Sequence, residues 1–372
     1  MKILIFHPFI APYRIDLFNA IAARHETSVC LFMRNLPDNP FDVKRLESQM
    51  DFTPKYLLKR HNLGICRVPK GMTHEIRNFN PDVVLLSEYG AKSLVVALYC
   101  RLFRKKTRLI SIVDDSFAMT QGDNHFNKIS HTLEERVMLP LVDDIINVEP
   151  RVADYFQKKY KKGQYFPIVA EDTRIRGNYA KALPLSKEYI HKYNLAGKRI
   201  FLYVGRLLPL KNIPFIIRAF READIPDSRL IIVGDGIDRK NCQRTAAECY
   251  MDSAEHVIFT GRLEGKYIDA WYNIAHVHIL ASWQEAFGAV TNEALLGGCF
   301  SLVSAHAGSA CLIEDGVNGY IFDPYDRKYL TECMSKLADK IETIQEEPQL
   351  RPSRMVETFA ICFGRMAEKL GI

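Results

Sequence analysis

Short apolar runs alternate with segments of helical periodicity along the whole chain. In the first half the strand candidates are Lys2–His7, Ser28–Met33, Val83–Ser87, Leu109–Val113 and Ile145–Val148, and helical spacing runs through Tyr13–Arg24, Lys92–Phe103 and Phe126–Leu139. Runs such as Val83-Val-Leu-Leu86 are apolar at every position, as expected of strands buried on both faces of a parallel sheet. The pattern then breaks: from Phe166 to about Gly197 no strand series is visible, and Pro167, Pro184 and Gly197 punctuate it. A linker is expected early in this stretch. A second series follows, with strands at Arg199–Val204, Leu230–Val233, His256–Phe259, Val277–Leu280, Phe300–Val303 and Gly319–Phe322, each trailed by a helical pattern. Strands alternating with helices predict α/β architecture and doubly wound parallel sheets. The expected domains are 1–168 and 169–354. The last segment, 355–372, reads as one amphipathic helix, apolar at 355, 356, 359, 363, 366 and 370, that packs back onto the first domain.

Length supports the division, since 372 residues exceed what one core usually organises. Nothing of about 18 consecutive apolar residues occurs, so no spanning helix is expected. Met1–Phe6 is cut short by His7-Pro8 and reads as a strand instead of a secretory signal. The nine cysteines are scattered, without a Cys-x-x-Cys, which predicts buried thiols in a reducing compartment and neither a disulfide framework nor a zinc site. A cytoplasmic protein, at most peripheral on the inner face of a membrane, is expected. Charge is uneven: residues 1–165 hold 25 Lys/Arg against 18 Asp/Glu, and the remainder holds 25 against 26. The excess gathers at Arg101, Arg104, Lys105, Lys106 and Arg108, and at Lys158, Lys159, Lys161 and Lys162. These clusters read either as solvated helix ends or as a face toward an anionic membrane surface or a phosphorylated acceptor. No aromatic–basic interleaving accompanies them, which argues against nucleic acid.

The candidate chemistry lies in the second half. Glu285 and Glu293 bracket Glu285-Ala-Phe-Gly-Ala-Val-Thr-Asn-Glu293, placing one carboxylate in a loop and the other inside a helix. Free amides at a helix start cradle phosphate, and acids grip sugar hydroxyls. After strand Arg199–Val204 come Gly205, Arg206 and Lys211: a glycine for a tight turn, then two cations where a diphosphate would sit. Taken singly, each acid reads as an ordinary surface group and the cations as a common strand–helix junction. His276 and His278 share a strand face, but no third ligand accompanies them, so a core or sheet-edge role is expected. In the first half, Asp114-Asp115 ends a strand. Asp114 either acts on an acceptor hydroxyl or caps the following turn. Tyr13 and Arg14, behind Pro8 and Pro12, are acceptor-side or packing residues, and Glu88-Tyr89-Gly90 is a weaker candidate of the same kind.

Gly205-Arg206…Lys211, Ile231-Ile-Val-Gly234-Asp-Gly236, Phe259-Thr-Gly-Arg262-Leu263, Glu285-x-Phe287-Gly288-x4-Glu293 and Leu312–Gly319 resemble, in this order, the retaining GT-B glycosyltransferases of family 4, the glycosyl transferases group 1. The likeness covers roughly 200–325; over 1–165 only the strand pattern agrees. It implies two Rossmann-like domains facing across a cleft and transfer of a sugar from a UDP-, GDP- or ADP-sugar, with no cofactor and no metal. By the same resemblance Arg206 and Lys211 neutralise the leaving diphosphate and Glu285 contacts the sugar. Amides around Phe287, Gly288 and Ala289 approach sugar and phosphate, Glu293 holds the ribose, and Arg262 and Leu263 border the base. Family members often carry His where this chain has Asp114, and a Gly-rich loop where it has His7–Arg14. A glycan or lipid-linked glycan acceptor for a bacterial surface polysaccharide is the expected partner. A nucleotide-sugar epimerase and an idle nucleotide-binding scaffold are the rival readings.

Overall fold

The computed structural model describes residues 1–36, 41–63, 66–121 and 136–372, with backbone only at 61–63, 66–67 and 121. The strands are β1 (Lys2–His7), β2 (Glu26–Leu31), β3 (Lys55–Tyr56), β4 (Arg60–Leu63), β5 (Cys66–Pro69), β6 (Val83–Ser87), β7 (Arg108–Val113), β8 (Asp144–Asn147), β9 (Gln164–Tyr165), β10 (Arg199–Val204), β11 (Ser228–Val233), β12 (Val257–Gly261), β13 (Val277–Leu280), β14 (Phe300–Ser304) and β15 (Gly319–Phe322). They form two parallel sheets, ordered β3-β2-β1-β6-β7-β8-β9 and β12-β11-β10-β13-β14-β15, and an antiparallel hairpin β4-β5. By packing, one unit comprises Met1–Ile168 with Ala360–Ile372, and the other Val169–Phe359.

In each sheet the order reverses beside the first strand, between β1 and β6 and between β10 and β13. Such reversal points open a crevice at the carboxyl ends of the strands, where ligands of doubly wound sheets bind. The cores follow from the apolar strands. Leu4, Val84, Leu109 and Ile145 pack one face of the first sheet, and Phe201, Leu230, Val277 and Leu302 one face of the second.

Several elements differ from the sequence expectation. The stretch read as an interrupted linker contains a 21-residue helix, Asp172–Lys192, with Pro184 inside. Proline removes one helical donor, but tertiary packing outweighs that loss: Tyr179, Ala182, Ser186 and Ile190 are buried, and Ser186 Oγ donates to the carbonyls of Ala182 and Ala270. The terminal helix begins at Phe359, not 355. Its first amide donates to Asp172 Oδ2 at 2.8 Å, a cap supplied from 187 residues away that no local pattern reveals. Tyr13–Arg24 resolves into a 3-10 turn, Pro12–Arg14, and a helix, Ile15–Ala22. Most of the expected helix Phe126–Leu139 lies outside the described residues. His276 and His278 are buried; His276 Nδ1 accepts from the Ile200 amide at 3.0 Å, and neither ring nitrogen of His278 has a partner among the described residues. The eight cysteines whose side chains are described are free thiols.

Candidate active site

In the second unit the site is laid out by five loops, all leaving the carboxyl ends of adjacent strands. β10 runs directly into Gly205, whose amide donates to the Val233 carbonyl at 3.0 Å. Alongside, Gly234 after β11 approaches so closely that a Cβ there would overlap the Gly205 carbonyl oxygen. Its φ of +147° also lies in the region that favours glycine. This close approach aims the chain from Arg206 to Lys211 across the mouth of the sheet. Arg206 is exposed and has no side-chain partner among the described residues.

Lys211 forms an ion pair with Glu285. Lys211 follows β10 and Glu285 follows β13, so the pair straddles the point where the second sheet reverses. Both side chains are mostly buried, 12% and 18% exposed. Water therefore screens the pair less than it would an open surface bridge. Ser282 Oγ, three residues before the acid, donates to the same carboxylate oxygen at 3.4 Å.

Beyond Glu285 the backbone turns at Gly288, with φ +93°; a Cβ there would lie 2.5 Å from Leu280 Cδ2 and 3.0 Å from Ser309 Oγ. The loop is held from below, the Ser309 amide donating to the Phe287 carbonyl at 2.8 Å and Thr291 and Ser309 hydroxyls bonding at 2.9 Å. Phe287 itself is buried. The amides of Gly288, Ala289 and Val290, at the start of the short helix Val290–Leu296, have no acceptor among the described residues. Three donors thus stand unused beside a cation and an acid, an arrangement suited to a polyanion carrying hydroxyl groups.

Glu293, on that helix, accepts from the Tyr272 hydroxyl at 2.8 Å, and its carbonyl accepts from the Tyr179 hydroxyl at 2.9 Å. Burial first, and Glu293 second, push the Tyr272 phenol well above its ordinary range, so it stays a hydrogen-bond donor. Arg262, past the end of β12, pairs with Glu264 at 2.5 Å, while Leu263 packs against the core shared with Trp271 and Tyr272. The structure thus joins Lys211 to Glu285 directly, and engages Glu293 and Arg262 with Tyr272 and Glu264. Ser282, Tyr272, Thr291 and Ser309 were not among the sequence candidates. Of these only the spacing Ser282-x-x-Glu285 carried a local signal.

The first unit places its candidates at its own reversal point. Arg14, after β1, is 1% exposed and forms an ion pair with Asp114, after β7. Tyr13 donates to the other oxygen of Asp114 at 3.4 Å. Burial, then Asp114, raises the Tyr13 phenol, with Glu88 adding to the shift. Glu88 itself sits at φ +57° directly after β6. Of the two readings open for Arg14, acceptor contact or packing, its burial and its pairing with Asp114 fit the packing one. Nearby, burial and the Arg14 charge lower His7 to about 4.

Residues 186–351 match the family described as glycosyl transferases group 1. The chain is 28% identical to a putative glycosyltransferase, YtcC, of Bacillus subtilis across 176 residues, 45% of this chain and 42% of YtcC. It is 27% identical to the alpha-D-kanosaminyltransferase of Streptomyces kanamyceticus across 175 residues, 46% of this chain and 43% of that enzyme. The matched segment thus spans under half the length of both relatives. The fold likeness is complete: Anabaena HepE, solved with UDP, superposes with a TM-score of 0.75 at 16% identity over 100% of both chains. The fold is GT-B, with two parallel-sheet α/β domains. The group 1 segment contains every second-unit candidate from Gly205 to Glu293, and none of the first-unit residues Tyr13, Arg14 or Asp114.

Proposed function

We propose that this chain transfers a sugar from a nucleotide diphosphate donor to an acceptor hydroxyl with retention at the anomeric carbon, as a family 4 enzyme. The observation that carries this reading is the Lys211–Glu285 pair at the second sheet's reversal point, beside three amides without an acceptor among the described residues. Glu285 accepts hydroxyls of the transferred sugar. Arg206, Lys211 and the Gly288–Val290 amides face the diphosphate, Glu293 faces the ribose, and Arg262 and Leu263 border the base. In the reacting step the bond from C1 to the phosphate oxygen breaks and the acceptor oxygen bonds C1 on the same face. The acceptor proton passes to the departing phosphate oxygen. Charge builds on that phosphate in the transition state, where fixed cations and amides lower the barrier. This reading therefore needs no metal.

HepE has been solved with UDP-glucose, which supports UDP-sugars as the first donors to test. The excess of cations over acids in residues 1–165 supports an anionic, lipid-linked or oligosaccharide acceptor for a bacterial surface polysaccharide. Asp114 is assigned to steer the acceptor hydroxyl, with Tyr13 beside it and Arg14 holding it in place. The test is a transfer and donor-hydrolysis assay on Glu285→Ala and Arg206→Ala. Losses of about 10²–10³ in rate are expected. Near-wild-type rates in folded variants would remove the assignment.

A further inference from the structure

The helix Ala91–Phe103 is apolar on two sides. Ser93, Val96, Ala97 and Cys100 face the first sheet and are buried. On the outward side Leu98 and Leu102, one turn apart, are 45% and 67% exposed, and Phe103 at the helix end is 69% exposed. A helix apolar all round is normally covered on all sides, yet among the described residues these three side chains stay exposed.

The charge around them points to the occupant. From Ala91 to Arg108 the chain holds six cations and no acid. Arg101 is neutralised by Asp143 at 2.8 Å. Arg104 bonds only neutral groups, the Asn80 side chain at 2.6 Å and the Arg77 carbonyl at 3.2 Å, and so keeps its charge. Lys105 and Lys106 are exposed and have no ion-pair partner among the described residues. Apolar side chains long enough to enter the acyl boundary, followed at the helix end by three cations without an acidic partner among the described residues, match an anionic bilayer surface. A second copy of this chain fits poorly, because a symmetric contact would set Arg104–Lys106 of each copy against the same cations. We propose that Leu98, Leu102 and Phe103, with Arg104, Lys105 and Lys106, dock the protein on anionic lipid.

The proposal does not rest on the transfer reading, since vesicle binding is measured without sugar substrates. The full chain is mixed with vesicles of phosphatidylcholine alone, or with about one-third phosphatidylglycerol, and bound protein is measured by sedimentation at low and high salt. Partitioning at least about tenfold stronger onto the anionic vesicles is expected, weakening as salt rises. Leu102→Gln with Phe103→Gln, and separately Lys105→Gln with Lys106→Gln, should each lower it about tenfold. All four side chains are exposed, so melting temperatures should match wild type, and light scattering should show the same mass for all three proteins. Equal partitioning onto both vesicle types, no binding, or variants that bind like wild type would overturn the proposal. So would a dimer that the Leu102/Phe103 variant dissociates.

Discussion

At the reversal point of the first sheet the cation is the hidden partner: Arg14 is 1% exposed and Asp114 is 23%. At the reversal point of the second, Lys211 and Glu285 share their exposure more evenly, 12% and 18%. The surroundings differ as well. Two further nitrogens of Arg14 are buried without partners among the described residues, so the first unit stakes stability on holding one acid. The second unit leaves its unused donors on the backbone, at Gly288–Val290, where a ligand can reach them. Two sheets of like topology thus use the same position differently: one fixes a carboxylate, the other keeps a polyanion site ready.

The largest expected effect breaks this contrast from the first unit. Asp114→Ala strands a buried guanidinium, which typically costs about 3–5 kcal/mol. Denaturant unfolding should show a loss of that size, whereas Lys211→Ala should cost less, because the Glu285 carboxylate it leaves is 18% exposed and keeps its bond from Ser282. Equal losses would mean that the two pairs are built alike. Next in size is catalysis. Lys211→Ala should lower transfer by about 10²–10³ with the fold intact, so stability and rate respond to opposite members of the two clusters.

How much of this was legible in the sequence follows the same division. β10 to β15 are apolar runs ending in glycine or polar turns, and each was located within about two residues, as boundary uncertainty allows. In the first unit β1 and β6 to β8 were equally readable. The hairpin Arg60–Leu63 with Cys66–Pro69 was not, because half of its residues are polar and only pairing makes them strands. Pro184 hid the helix Asp172–Lys192, whose support is tertiary. Lys211 and Glu285 were named from spacing around glycines. The Arg14–Asp114 clamp joins positions 100 residues apart, and periodicity carries no information about that. Tyr272 was invisible for the same reason, as its bond to Glu293 spans 21 residues and two helices.

Two smaller effects sharpen the picture of the second unit. Burial alone holds His278 at about 3, against 6.5 in an unfolded chain. As pH falls the unfolded chain takes up that proton first. The stability His278 contributes is complete above about pH 6.5 and is lost as pH falls toward 3. His278→Leu should flatten the acid side of the stability curve between those limits. It should leave stability at pH 7 nearly unchanged, since two unpartnered nitrogens are removed. An unchanged acid slope would show that His278 takes up its proton in the folded protein as well. Smallest is Tyr272→Phe, which removes one hydrogen bond to Glu293. A stability loss of about 1 kcal/mol is expected, together with weaker nucleotide binding and an unaltered melting profile of the first unit.

The most direct test of the central claim is calorimetric titration of UDP-, GDP- and ADP-sugars into the wild-type chain and into Lys211→Ala and Glu285→Ala. The account predicts that one donor binds wild type, that Lys211→Ala weakens the nucleoside diphosphate and its sugar together, and that Glu285→Ala weakens only the sugar-bearing form. Equal binding of that donor to all three proteins would contradict it.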